Sequence, residues 1–136
     1  MHTVVEFSVL KGKTLSSIDV EVVEPGDNCI KFTTTDGLKY EMYHANECCE
    51  DVFIESIVGD LQDLIGQPIL LAEEVTNREE DGAKPIDADA YASSGGDYSY
   101  TWTFYKLATV KGYVDIRWYG SSNGYYSEDV QLHLVD

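Results

Sequence analysis

Aromatic residues and one arginine cluster in the last third of the chain, where they could bind a planar ligand that carries phosphate. Eight of the ten tyrosines and both tryptophans fall between Tyr91 and Tyr126. Aromatic rings stack on planar groups and attract cations, and a guanidinium binds phosphate through paired hydrogen bonds. The predicted stacking residues are Trp102, Tyr105, Tyr119 and Tyr126. The predicted phosphate-binding residues are Lys106, Lys111 and Arg117, beside the polar loop residues Ser122, Asn123 and Tyr125.

The same cluster admits two other interpretations. Rigid aromatic rings beside an arginine are also typical of the centre of a protein-binding surface. Strands favour aromatic residues in any case, and Arg117 could simply pair with Asp115 or another acid. A concave site around Arg117 and Lys106 would favour a ligand, whereas pairing on a flat sheet would not.

A second candidate surface is acidic. The chain carries a net charge of −16, and no Lys or Arg occurs between Tyr40 and Asn77. Such a charge repels phosphate backbones and anionic membranes and attracts basic proteins, although acidity can also serve solubility alone. Carboxylates without basic neighbours are rarely buried, so we predict that this stretch is mostly surface. Its acidic residues are Glu41, Glu47, Glu50, Asp51, Glu55, Asp60, Asp63, Glu73 and Glu74.

Metal binding and catalysis are not predicted. Cys48 and Cys49 are adjacent, so on a strand they point to opposite faces and cannot converge with His44 on one zinc ion. The Asp87-Ala88-Asp89 segment lacks the glycine and the glutamate of a calcium loop. No nucleophile elbow, glycine-rich phosphate loop or zinc-protease motif is present. We therefore expect a protein that is not an enzyme and has no metal or cofactor.

The elements that must position these residues are mostly strands. Alternating hydrophobicity and turn signals predict one domain over residues 1–136, built from antiparallel hairpins in a sandwich or a barrel-like sheet. The alternative is an α+β fold. The predicted strands are Thr3–Leu10, Leu15–Glu24, Cys29–Thr35, Leu38–Tyr43, Val52–Ile54, Ile69–Ala72, Tyr98–Val110, Tyr113–Tyr119 and Tyr125–Val135.

One short α-helix is predicted near residues 60–66, and a long loop at about 76–97. Asp60 is a suitable N-cap, and Gly66 ends the helical spacing. On the strand Tyr113–Tyr119, alternation places Ile116 and Trp118 in the core and Arg117 on the opposite face. A start without a basic or apolar leader, and no apolar run long enough to cross a membrane, favour a cytoplasmic chain.

Several motifs resemble a family of small acidic proteins common in tailed-phage and prophage genomes. The resemblance covers about Leu15 to Val130. It rests on Tyr43-His44, Cys48-Cys49-Glu50, Ile54-Glu55, Gly59–Gly66, Ala72-Glu73-Glu74, Trp102–Lys106, Lys111-Gly112, Ile116-Arg117-Trp118 and Ser122–Ser127. It implies a phage accessory protein in a bacterial cytoplasm and brings no catalytic residue with it.

The favoured hypothesis is phage counter-defence by binding, in which the aromatic and arginine site sequesters a nucleotide-like ligand. The alternative is an acidic inhibitor that imitates nucleic acid and blocks a host defence nuclease, as an anti-CRISPR protein would. A phage structural or assembly component is a further alternative. The expected partner is a small nucleotide-like ligand or a basic host protein surface, without direct contact to nucleic acid or membrane, and a homo-oligomer is possible.

Overall fold

Two antiparallel sheets form the fold. The computed structural model describes residues 2–23, 27–45, 50–78, 99–122 and 128–135. The first sheet contains, in spatial order, β1 (His2–Val5), β9 (Gln131–Val135), β4 (Lys39–Tyr43), β3 (Asp27–Thr34) and β2 (Leu15–Val23). The second sheet contains β5 (Asp51–Val58), β8 (Gly112–Ser122), β7 (Ser99–Thr109) and β6 (Leu71–Arg78). The predicted mostly-β class is confirmed.

The inner faces of the two sheets share one apolar core. Side chains alternate along each strand, so every second residue enters this core. Ile30 and Phe32 of β3 are fully buried in the same cluster as Ile116 and Trp118 of β8. Arg117 lies between those two β8 residues and therefore leaves the opposite, outer face of the second sheet, as the alternation predicted.

The predicted α-helix is a 3-10 turn over Leu61–Leu64. Asp60 caps it as expected, because its side chain accepts a hydrogen bond from the backbone N–H of Gln62 at 2.9 Å. Ile65 is already extended, and Gly66 has a φ of 84°. Four residues form too few turns to stabilise an α-helical nucleus. The α-helix was therefore wrong in type, although its position and cap were right.

Several strand predictions differ from the structure. The predicted Val52–Ile54 is part of the longer β5, and the strand predicted over Tyr125–Val135 is described as a strand only from Gln131. The segment Thr3–Leu10 divides into β1 and a 3-10 turn over Phe7–Leu10, which buries Phe7 and Leu10. The short strand predicted to end at Ala72 continues as β6 to Arg78, so the first residues of the predicted long loop belong to a sheet. The rest of that loop, residues 79–97, and the predicted Asn123-Gly124 turn lie outside the described residues.

Within the described residues, the sandwich is open along one side. Among the described strands, β1 is the terminal strand of the first sheet and pairs only with β9. In the same part of the chain, β6 is the terminal strand of the second sheet and pairs only with β7. The 3-10 turn Phe7–Leu10 packs beside β6. The edges of β1 and β6 therefore border the same opening.

Two glycines with positive φ provide a matched test of the turn geometry. Gly59 has a φ of 107°, and a Cβ there would collide with the Tyr113 carbonyl oxygen. Gly12 has a φ of 88° and open space around it. We expect Gly12→Ala to cost about 1–2 kcal/mol of unfolding free energy from backbone strain. Gly59→Ala should cost about 3 kcal/mol or more, since the β8 backbone must also move. Urea unfolding measures both, and equal losses would contradict the contact.

Candidate functional site

A cluster of four described aromatic rings lies on the outer face of the second sheet. Trp102 and Tyr119 are opposite each other in register, with ring centroids 5.2 Å apart. Phe53 lies 5.5 Å from Tyr119, and Tyr100 lies 6.3 Å from Trp102. Trp102 is only 6% exposed and Tyr119 only 1%. Trp102 and Tyr119, two of the four rings predicted to stack a base, are thus packed among other rings and present little free area.

Tyr105 does not belong to that outer face. It enters the core beside Phe7, at a centroid distance of 4.7 Å, and its hydroxyl donates a hydrogen bond to the Val130 carbonyl at 3.2 Å. Burial, and secondarily the nearby Glu74 carboxylate, raise the pKa of Tyr105. Since Tyr105 and Trp102 lie on opposite faces of one sheet, they cannot stack the same ligand.

Arg117 is held by an acid on the neighbouring strand. Its Nε lies 2.6 Å from Glu55 Oε1, an ion pair at close range without an aligned hydrogen bond. Lys106 shares this face but has Asp115 opposite it on β8 and Glu73 opposite it on β6. Both cations therefore lie among carboxylates on a sheet face and do not line a basic pocket.

Lys111 is distant from both. It lies in the β7–β8 turn, where its Nζ donates to the Ile65 carbonyl at 3.3 Å. Arg117 lies six positions further along the chain, which at the rise of an extended strand is a distance of about 20 Å. One phosphate group cannot contact both side chains.

Ser122 is buried and engaged with an acid that the sequence did not single out. Its hydroxyl donates to Glu128 Oε2 at 2.6 Å, and the Thr101 hydroxyl donates to Oε1 at 2.7 Å. A Cβ on Gly120 would lie 2.9 Å from the Glu128 side chain, so the glycine gives this carboxylate its space. The predicted ligand residues Asn123, Tyr125 and Tyr126 lie outside the described residues.

Glu50 is the exception within the predicted acidic surface, because it is buried. Its Oε2 lies 2.9 Å from Nε2 of His44, and the other ring nitrogen of His44 contacts the Asp129 carbonyl oxygen at 2.6 Å. The pair has side-chain exposures of 5% and 0%. The prediction considered only Lys and Arg as partners and therefore missed a histidine six residues away. With both ring nitrogens engaged, His44 has no free nitrogen for a metal.

The other described acids of that stretch are exposed or half-buried, but they do not form one row. Glu41 lies on the outer face of the first sheet, and Glu55 lies on the outer face of the second. Asp60 and Asp63 lie at the 3-10 turn between β5 and β6. The exposed or half-buried acids are Glu41, Asp51, Glu55, Asp60, Asp63, Glu73 and Glu74, and Glu47 lies outside the described residues. Negative charge therefore surrounds the sandwich.

The opening between the β1 and β6 edges forms a groove of about 600 Å³. Of the described residues that line it, three are acidic, namely Glu6, Glu73 and Glu74, and none is basic. The other lining residues are Val4, Val5, Phe7, Ser8, Ala72, Val75, Val130, Gln131 and Leu132. Sequence reasoning missed the groove because its two sides are far apart in the chain and meet only when the sheets pack.

The described parts of the chain provide no metal-binding group and no reactive thiol. They contain no group of three or more His, Cys, Asp or Glu residues arranged to hold a metal ion. Burial, with a contribution from Glu41, raises the pKa of the Cys29 thiol to about 11, which suppresses the reactive thiolate. Cys48 and Cys49 lie outside the described residues, so the absence of zinc stays a prediction. No described helix is long and apolar enough to cross a membrane.

Comparison with known proteins identifies one family whose profile covers most of both sheets. The profile of a domain of unknown function, DUF7448, matches residues 8–132. The chain belongs to the DUF7448 family. No curated protein and no solved structure matches the chain. The DUF7448 match runs from the 3-10 turn Phe7–Leu10 into β9 and so includes β6, the aromatic face and the buried acids.

Among the described residues, His133 is a titratable group without a hydrogen-bond partner. It lies on the outer face of the first sheet, yet it is buried because its ring stacks on Tyr43 at 4.3 Å. Neither ring nitrogen has a partner among the described residues. Burial, and secondarily His2, lower the pKa of His133, while Glu41 opposes the shift.

The Arg117–Glu55 pair should contribute little to stability. Arg117 keeps a side-chain exposure of 33%, so water screens the attraction. In a double-mutant cycle of Arg117→Ala and Glu55→Ala, we expect a coupling free energy of about 0–1 kcal/mol. Urea unfolding of the two single variants and the double variant measures it. A coupling above about 3 kcal/mol would show instead a desolvated pair that holds the face together.

His133 should make the fold sensitive to acid. Because its pKa is lower in the folded than in the unfolded state, the unfolded state binds the proton more tightly. The unfolding free energy should therefore fall as the pH drops below the ordinary histidine value of 6.5. His133→Phe keeps a ring to stack on Tyr43 and removes the titration. Urea unfolding at stepwise lower pH should show the variant losing less stability than the wild type, and parallel curves would contradict the assignment.

Proposed function

We propose that this DUF7448 protein is a non-enzymatic binding protein whose ligand is a basic surface of another protein. The observation that carries the proposal is the groove between β1 and β6, whose described lining contains three carboxylates and no basic residue. The net charge of −16 acts in the same direction. Long-range attraction of this kind increases the rate at which a basic partner meets the protein and excludes acidic ones.

The nucleotide-binding hypothesis has less support. A phosphate at Arg117 would have to displace Glu55, which lies 2.6 Å from the guanidinium, or approach that carboxylate closely. A base would have to separate Trp102 from Tyr119, which are nearly buried. Each step costs free energy before any ligand contact forms, since buried aromatic contacts are lost and a half-buried carboxylate loses its partner.

The class of partner follows from the charge and from the resemblance to small acidic phage proteins. An enzyme that acts on DNA or RNA holds the phosphate backbone with lysine and arginine side chains. A rigid protein that presents carboxylates can occupy such a cleft in place of the nucleic acid. We therefore propose a defence nuclease of a bacterial host as the partner, and phage counter-defence in the host cytoplasm as the biological role.

Titration calorimetry with three probes tests the charge selectivity. A short lysine homopolymer should bind, whereas ATP and a mixed-sequence DNA strand should not. Binding of the lysine homopolymer should weaken strongly between low and physiological ionic strength, because the Debye length falls from about 30 Å to about 8 Å.

The variant Arg117→Ala distinguishes binding of a basic protein from binding of a nucleotide in the same experiment. It should bind the lysine homopolymer as well as the wild type does, because it removes no acid. ATP binding by the wild type that disappears in Arg117→Ala would contradict the proposal and restore the nucleotide site. Failure of the lysine homopolymer to bind at low ionic strength would also contradict the proposal.

A further inference from the structure

The free edge of β6 and the groove beside it point to one mode of binding. We propose that an extended basic segment of the partner protein adds as a strand to the edge of β6 and lies in the groove, an inference that rests on the proposed function. β6 spans the eight residues Leu71–Arg78 and, among the strands that the structure describes, pairs only with β7. Its outward N–H and C=O groups make no backbone hydrogen bond to any other described residue.

The regularity of β6 distinguishes it from the other terminal strands. Proteins commonly protect exposed edges from pairing with bulges or by keeping the strand short. β2 has a register shift between Leu15 and Ser17, and β5 has one between Ile54 and Ser56. β1 has only four residues. β6 pairs with β7 in unbroken register over its full length, so its outer edge is the longest regular template in the described chain.

The groove can accept the side chains of an added strand. Its floor contains the buried residues Phe7, Ala72, Val130 and Leu132. Val75 at 37% and Val4 at 56% exposure border it on the two sides. An extended strand directs alternate side chains to opposite faces, so one set would enter this apolar floor while the other set faces solvent.

The carboxylates of the groove favour an incoming strand that is positively charged. Glu73 and Glu74 are exposed neighbours on β6 and so point to its two faces. Glu6 directly follows β1 and also lines the groove. Lys106 is opposite Glu73 in register, but Glu6 and Glu74 have no basic partner among the described residues. Lysine or arginine side chains of the incoming strand would pair with these acids on both faces of β6.

An octapeptide of repeating Lys-Lys-Val-Val matches the length of β6 and, when extended, carries lysine on both faces. It tests the mode of binding by fluorescence anisotropy. The double variant Glu73→Gln/Glu74→Gln removes two groove charges and keeps the side-chain size. The double variant Asp19→Asn/Asp51→Asn removes two exposed charges from the strands at the opposite edges. We expect the groove variant to bind the peptide about tenfold more weakly, since two ion pairs are lost. The matched variant should change the affinity by less than about twofold, because screening weakens distant charges.

Two N-methylated versions of the octapeptide test the backbone contacts without altering the protein. One carries N-methyl groups on its odd residues and the other on its even residues. Only one edge of an added strand faces β6, so one version should lose binding and the other should retain it.

The outcomes separate the two proposals. If both double variants weaken binding equally, or both N-methylated peptides bind like the parent, the association is diffuse and the β6 mode is wrong, although the proposed function stands. If neither the parent octapeptide nor the lysine homopolymer binds, the proposed function fails as well. Equal thermal melting of the two double variants excludes unfolding as the cause of a difference.

Discussion

The packing of the two sheets against each other determines every surface of this protein. Phe32 of the first sheet and Trp118 of the second are fully buried in one core. Because side chains alternate along a strand, burial of Trp118 directs Arg117 to the outer face, where Glu55 meets it. The same packing brings the edges of β1 and β6 together and leaves a groove between them. The candidate site is thus a consequence of where the sandwich stays open.

Buried and surface carboxylates differ in the partners that they have. Glu50 and Glu128 are buried, and each is engaged by nearby polar groups: His44 for Glu50, and the hydroxyls of Thr101 and Ser122 for Glu128. Buried carboxylates need such partners, since an unpaired charge in the core is costly. The acids on the surface have few bases to pair with, because 25 acids face 9 bases in the sequence. Some of them form ion pairs, as Glu55 does with Arg117, and the excess of acids gives the protein its net charge of −16.

Much of the fold could be predicted because local patterns are strong. Alternation of Ile18, Val20 and Val22 indicated β2, and the same rule placed Arg117 outside the core. The helix type could not be predicted, because an Asp cap and a glycine stop fit a 3-10 turn and an α-helix equally well. The burial of Glu50 and the groove depend on contacts between distant segments, which periodicity does not reveal. Tyr105 and Trp102 were assigned to one site because aromatic residues cluster in this part of the sequence. Residues three positions apart on a strand point to opposite faces, so the alternation already separated them.

The central claim is that a basic chain binds in the groove between β1 and β6. Nuclear magnetic resonance tests it most directly. Titration of the isotope-labelled protein with the lysine and valine octapeptide reports which backbone amides contact it. The account predicts that the shifts concentrate in β6, β1 and the 3-10 turn Phe7–Leu10, and that the outward amides of Leu71–Arg78 become protected from hydrogen exchange. Shifts concentrated around Arg117 and Trp102, or spread evenly over both outer faces, would contradict it.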